Sequence, residues 1–414
     1  MKATVIECLR TISIDLAQLS TQSCTQKTKQ DTPDGVSCFH APGVPLVSMH
    51  FPSARGVVEM IAEDGSTVLL AASGHIRSFI AQRMNEDGQQ SSKANLAPIT
   101  AKIIAYPTGS AFESDWIVHE RARLVDLGLY AKLNEQNRRS VLVFDSQAGS
   151  WRVEDTLSLG LDETGLAVGP ILTKQAAKSL GETLDDVYEL CRYPKELALA
   201  PNGSACAYKQ MGRCPAACDG SEPMEAYRER FASAQRSAAD GLGAWKKQLK
   251  DEIQSASAEL DFEHAQLAQR QLGEVEKLAA DALGLAQPMA GMRLVCITPS
   301  VRKGWAMVWG LGGDGLAAMV GVSEDQPGMA GVIESLMGES VSGGVLDQLW
   351  LDRFALVARH WMTKASKARR RRVTILDLND ARWRSQVSKA IAQACEAKAY
   401  DDDSIDEEQT HIQR

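Results

Sequence analysis

Aromatic side chains are scarce. Phe, Trp and Tyr make up 6% of the 414 residues, so the interior must be filled chiefly by aliphatic groups. Long apolar runs are lacking too: no stretch reaches the ~18 uninterrupted apolar residues of a bilayer span. The opening "MKATVIECLRTISIDLAQLS" breaks its apolar positions with Glu7, Arg10 and Asp15, unlike a secretory signal, and reads as a short amphipathic helix. These absences predict a cytoplasmic protein with no membrane partner, in which thiols stay reduced. Positive charge is not in surplus either. With a formal net charge of −8, any nucleic-acid contact must come from a local patch. The 7 histidines, His119 and His360 among them, show no ligand pairing, and no internal repeat is visible.

What is present is a folded, multidomain composition, 44% hydrophobic and 24% charged. Residues 17–45 are polar and read as a linker. "GVVEMIAEDGSTVLLAAS" is an apolar run, an Asp-Gly turn and a second apolar run, the pattern of a hairpin. A helix "HIRSFIAQRM", a strand "KIIAYPT", a helix from near Asp115 and a hairpin "SVLVFDSQAGSWRVE" follow. A helix then leads to Cys191. Further on, Trp245, Leu249, Ile253 and Ala256 form one helical stripe, and Ala265, Ala268, Leu272, Val275 and Ala279 another. Asp261 between them is placed to cap the second helix, with Glu263 in its first turn. Together they predict an antiparallel hairpin. From 292 the period falls to that of strands, before two last helices and the acidic end "YDDDSIDEEQTHIQR".

The chemistry concentrates in "CAYKQMGRCPAACDG", 206–220. Cys206, Cys214 and Cys218 are spaced C-x7-C-x3-C, with Cys191 upstream; the chain has 9 cysteines in all. Four thiolates without histidine suit either a tetrahedral zinc ion or an iron–sulfur cluster, and spacing does not separate the two. Cys8, Cys24, Cys38, Cys296 and Cys395 stand alone and read as inert.

This segment resembles the UvrC excinuclease family of bacterial nucleotide excision repair. Tyr208, Gly212, Arg213 and Gly220 stand where that family has them, whereas Pro215 sits earlier than the family's proline and the gap after Cys191 is wider. "AELDFEHAQLAQRQL" is similar to the family's UVR motif at Leu260, Phe262, Glu263, Ala265 and Arg270. The resemblance implies a 4Fe–4S cluster, with zinc as the alternative, on Cys191, Cys206, Cys214 and Cys218. It also implies a hairpin that pairs with a UvrB-type helicase through Leu260, Phe262, Ala265 and Arg270. An isolated hairpin cannot bury both its apolar stripes, so a partner helix pair is their natural sink.

The family's first domain is a GIY-YIG nuclease, whose chemistry needs a tyrosine, an arginine near the phosphate and a glutamate on a divalent metal. Here Val58 stands at the first tyrosine position, apolar Leu69-Leu70-Ala71 replace the second signature, and Phe79 falls at the arginine position although Arg77 is near. Glu120 is the candidate metal ligand, for Mg²⁺ only if the site is active. The domain is therefore expected to be degenerate and non-cleaving. Asp314, Asp347 and Asp352 are scattered acids without metal-site spacing, and the family's second nuclease and helix-hairpin-helix motifs find no match. The run "TKASKARRRRV" offers Arg369, Arg370, Arg371 and Arg372 to duplex or damaged DNA, or to the acidic end of the same chain.

The expected fold is thus multidomain α+β. It comprises an N-terminal helix and linker (1–50), a degenerate GIY-YIG-like α/β domain (51–172) and a four-cysteine module (173–235). A UVR helical hairpin (236–284), a C-terminal mixed α/β domain (285–398) and an acidic tail (399–414) complete it. The expected function is a nucleotide-excision-repair protein that binds DNA and a UvrB-type helicase. An active structure-specific endonuclease of the excinuclease type and a UVR adaptor outside DNA repair are the alternatives.

Overall fold

The computed structural model describes residues 12–15, 47–85, 93–160, 167–278, 286–312, 315–323, 330–331, 333–334, 348–361 and 373–396. The linker at 17–45, the cations Arg369–Arg372, the acidic tail and Cys8, Cys24 and Cys38 lie outside them. Three four-stranded antiparallel sheets organise the rest. No helix among the described residues is long and apolar enough to cross a membrane.

In the first sheet, β1 (Ile12–Asp15), β2 (Gly56–Ile61), β3 (Thr67–Ser73) and β4 (Lys102–Pro107) lie in the order β1-β4-β2-β3. The Asp-Gly turn behaves as read: Asp64 Oδ1 accepts the Ser66 amide at 2.8 Å, and β2 pairs with β3. β1 corrects the expected N-terminal helix over 12–15. The stretch I-S-I-D alternates with period two, and the open edge of β4 offers it a ladder from Ile12↔Ala105 to Asp15↔Lys102.

The pleat divides this sheet's side chains between two helical layers. Val58, Met60, Ile103 and Ala105 pack with Ile76 and Ile80 of α1 (Ile76–Arg83). Val57, Leu70 and Tyr106 pack with α2 (Ala111–Val125) and α3 (Leu127–Asn137). α2 starts before Asp115 because Ser110 caps it, accepting the Glu113 amide at 3.1 Å while Glu113 Oε2 accepts the Gly109 amide at 2.7 Å. Asp126 then ends α2 and caps α3 through the amides of Gly128 and Leu129.

Residues 51–172, read as one unit, serve two sheets. β5 (Ser140–Asp145), β6 (Ser150–Asp155) and β7 (Ala167–Ile171) are joined by β8 (Gln287–Pro288), which returns after the hairpin to pair with β7 at Gly169↔Gln287. α4 (Lys174–Val187) and α5 (Met224–Ala239) cover this second sheet with Leu180, Leu184, Tyr227 and Phe231. α6 (Gly243–Ala258) and α7 (Phe262–Leu278) form the expected antiparallel hairpin.

The third sheet holds β9 (Leu294–Pro299), β10 (Trp305–Gly312), β11 (Gly315–Ser323) and β12 (Thr374–Asp377), with β9 central between β10 and β12. α9 (Trp383–Glu396) packs on one face. On the other, α8 (Gln348–Trp361) brings Trp350 and Phe354 into one core with Phe112 and Trp116 of α2, Val141 of β5 and Trp309 of β10. Five aromatics are thus gathered in one core between the second and third sheets.

Candidate functional site

α4 begins where Thr173 Oγ1 accepts the Ala176 amide at 3.1 Å and runs to Val187. Cys191 lies four residues past its end rather than on it. Its amide donates to Tyr227 Oη at 3.3 Å, while Tyr227 donates to the Gly149 carbonyl at 2.7 Å. One buried tyrosine of α5 therefore ties the first cysteine to the β5–β6 hairpin. Cys206 starts a single helical turn, Ala207–Gln210, and Cys218 lies in a 3-10 turn, Ala217–Asp219. Ala216 between them is held at φ 64°, a conformation that side chains resist and that surrounding contacts must enforce. The Gly203 amide donates to the Cys218 carbonyl at 2.8 Å, and a Cβ at 203 would stand 2.7 Å from the Glu196 carbonyl. Only glycine allows that approach. Lys209 pins the far side through Asp219 at 2.6 Å and Ser221 at 2.5 Å.

Cys214 and Cys218 are buried, Cys191 and Cys206 half-buried, and none is in a disulfide. Burial pushes the Cys191 thiol up to about 11; a backbone hydrogen bond at Tyr193 opposes this, and the charges of Cys214, Cys218 and Cys206 add to it. Burial also raises Cys218, helped by Asp219, Cys214 and Cys206. The charges of the other three cysteines thus reach Cys191. Among the described residues, however, no three His, Cys, Asp or Glu side chains close to metal-ligating geometry. The donor set suits a soft metal or an iron–sulfur cluster, and loading would have to displace protons that the environment favours.

Two buried carboxyls, one near this segment and one on α2, have opposite character. Asp185 accepts from Trp151 Nε1 at 2.7 Å, yet burial raises it to about 6. Glu120 faces α8, where Arg353 Nε and Nη2 grip its two oxygens at 2.8 and 2.7 Å. Burial alone would push Glu120 up, but hydrogen bonds from Arg353 and His119 outweigh it and hold it at about 2. Both oxygens being occupied, Glu120 is built as half of an ion pair. Around it, Tyr130 donates to Asp352, His360 Nε2 meets Asp115 at 2.8 Å, and Arg353 lies over the Trp116 ring. None of these α8 partners was visible as a motif. A second buried carboxylate, Glu59 of β2, is gripped in the same way by Arg121 at 2.7 and 3.1 Å and by Tyr106 at 3.1 Å. Val58 beside it is fully buried under α1, and Arg77 Nε donates to the Phe51 carbonyl at 3.0 Å.

The hairpin buries Leu249 and Ala256 of α6 with Ala268, Leu272 and Val275 of α7. Asp261 Oδ1 accepts the His264 amide at 3.1 Å, the cap that the sequence predicts. Its turn end leaves Leu260 71%, Phe262 67% and Leu267 55% exposed. Arg270 is exposed beside them and Ala265 half-buried.

Residues 150–237 match the UvrC/Cho excinuclease middle-domain family. The middle segment is UvrC-like. All four cysteines of the cluster lie inside it, whereas the hairpin, the first sheet and the third sheet lie outside. Over 120 residues, 29% of this chain, the protein is 28% identical to UvrABC system protein C of Lactobacillus helveticus (strain DPC 4571). That stretch is 19% of the relative's length, so the chain spans about a fifth of the curated relative it matches. No solved structure matches the chain.

Proposed function

We propose that this protein is a nucleotide-excision-repair component in which the UvrC-like segment holds an iron–sulfur cluster, with the hairpin presented to a UvrB-type helicase and the whole bound to DNA. The observation that carries the reading is that all four cysteines fall inside the stretch that matches the UvrC/Cho middle domain. Cys191, Cys206, Cys214 and Cys218 would hold the cluster, and its chemistry there would be that of a structural cross-link. Protein purified without oxygen is expected to be brown, with iron and acid-labile sulfide in stoichiometric amounts. Colourless protein carrying one zinc would keep the module and change the metal; protein with neither would overturn the reading.

The hairpin supports the partner. Its inner stripe is closed within the chain, and apolar side chains remain outward only at the turn end, as a helix-in-groove or helix-pair contact requires. Capture of a UvrB-type helicase by the wild type, lost with Phe262→Asp, is the expected result.

The first sheet serves as a non-cleaving scaffold in this reading. Val58 and Leu70 are core residues that cannot relay a proton, and Glu120 is spent on Arg353. Damaged duplex is expected to stay intact with Mg²⁺ or Mn²⁺. Robust incision that disappears with Glu120→Gln would instead favour the endonuclease reading.

A further inference from the structure

Two guanidinium groups converge at the C-terminal end of α3. Arg139 Nη1 donates to the carbonyls of Asn137 at 3.1 Å and Arg138 at 2.7 Å. Arg359, near the end of α8, donates through Nη1 to Asn137 Oδ1 at 3.1 Å. Asn137 is thus a clasp, its backbone holding one cation and its side chain the other. Arg138 stands beside them, its side chain 54% exposed and its nearest carboxylate, Glu135, a loose exposed contact at 3.5 Å.

Among the described residues Arg139 makes no ion pair, and its Nε is buried without a hydrogen-bond partner. Burial lowers the affinity of Arg139 for its proton, and the charge of Arg359 lowers it further, so the two cations press on each other. The partial negative charge of the α3 terminus offsets some of this repulsion. A chain that is acidic overall, with a net charge of −8, has nevertheless kept three arginines together here. An arginine fork matches the oxygens of a phosphate.

We propose that Arg138, Arg139 and Arg359 form a phosphate-binding surface for the backbone of duplex DNA. The proposal rests on the DNA-binding reading above and gives that binding a location within the described fold. The surface is sequence-independent, because guanidinium-to-phosphate contacts position a duplex without reading it.

The test is duplex binding by the full-length protein across a salt series. Each lost phosphate contact makes the slope of log K against log salt shallower by about 0.9. The double variant Arg138→Ala, Arg139→Ala is expected to bind about tenfold or more weakly, with a slope shallower by about 1 to 2. Arg139→Lys, which keeps the charge, is expected to retain most of the slope. A helix-capping role alone would lower the melting temperature and leave the slope unchanged, and that result overturns the proposal. Inorganic phosphate at the concentration of oligonucleotide phosphate separates the sources: displacement of the duplex by the free anion would mean an anion pocket, and also overturns it. Wild-type protein that does not bind duplex at all sinks both this surface and the DNA reading. Wild-type binding with unaltered variants sinks this surface only.

Discussion

Where α8 packs on α2 and α3, the buried carboxylates have strong donors: Glu120 meets the Arg353 guanidinium and Asp352 accepts from Tyr130, while Asp115 meets His360 Nε2. In the cysteine segment the buried groups meet their own kind. Cys191 feels the like charges of Cys206, Cys214 and Cys218, and Asp185 has a neutral indole for its partner. The consequence is written in the two carboxyls, one held at about 2 and the other raised to about 6. A fold that fills its own polar needs is holding itself together, whereas one that leaves donors facing donors has room for a ligand.

The largest break in that contrast is Arg353→Ala, which strips buried Glu120 of its two-pronged partner, leaves it Arg123 at 3.5 Å, and is expected to cost about 3 kcal/mol in urea denaturation. Replacing both partners with apolar residues is expected to recover most of the loss. The acid limb gives the next effect. Glu120 has its folded pKa at about 2, below the ordinary carboxylate value of 4.5, so its contribution is complete above 4.5 and disappears as pH falls through about 2. By linkage this is worth about 3 kcal/mol, and Glu120→Gln should flatten the stability curve between those values.

Asp185 has the opposite sign. Its pKa is raised, so its favourable state exists below 3.8 and is lost as pH rises through about 6. Asp185→Asn keeps an acceptor for Trp151 and is expected to add about 1–2 kcal/mol at pH 7, with no gain at pH 3. The proposed cluster sharpens the comparison further. Chelation should lower the melting temperature of the wild type and leave Cys206→Ala unmoved, since a ligand stabilises only the state that binds it. The smallest effect belongs to Phe262→Asp, which should change stability by no more than about 0.5 kcal/mol while abolishing helicase capture.

The elements that sequence could read are those governed by neighbours. The Asp64-Gly65 turn, the Asp261 cap and the stripes ending at Ala256 and Val275 all act within a few residues. The cysteine cluster was visible for the same reason. What stayed hidden depends on distant partners. β1 needed the edge of β4, β12 needed β9, and the role of Glu120 needed an arginine 233 positions away. A glutamate on a helix looks the same whether its neighbour will be a magnesium ion or a guanidinium. The boundary at 172 failed to anticipate the second sheet because β5–β7 carry hairpin signals that do not say which sheet they will join.

The pairing of Gly169 with Gln287 gives the order of synthesis a physical meaning. β7 leaves the ribosome long before its outer neighbour exists, and the cysteines and both hairpin helices emerge in the interval. For that time one rim of the second sheet stands open, so the two hairpin helices can form before the sheet that anchors them is closed.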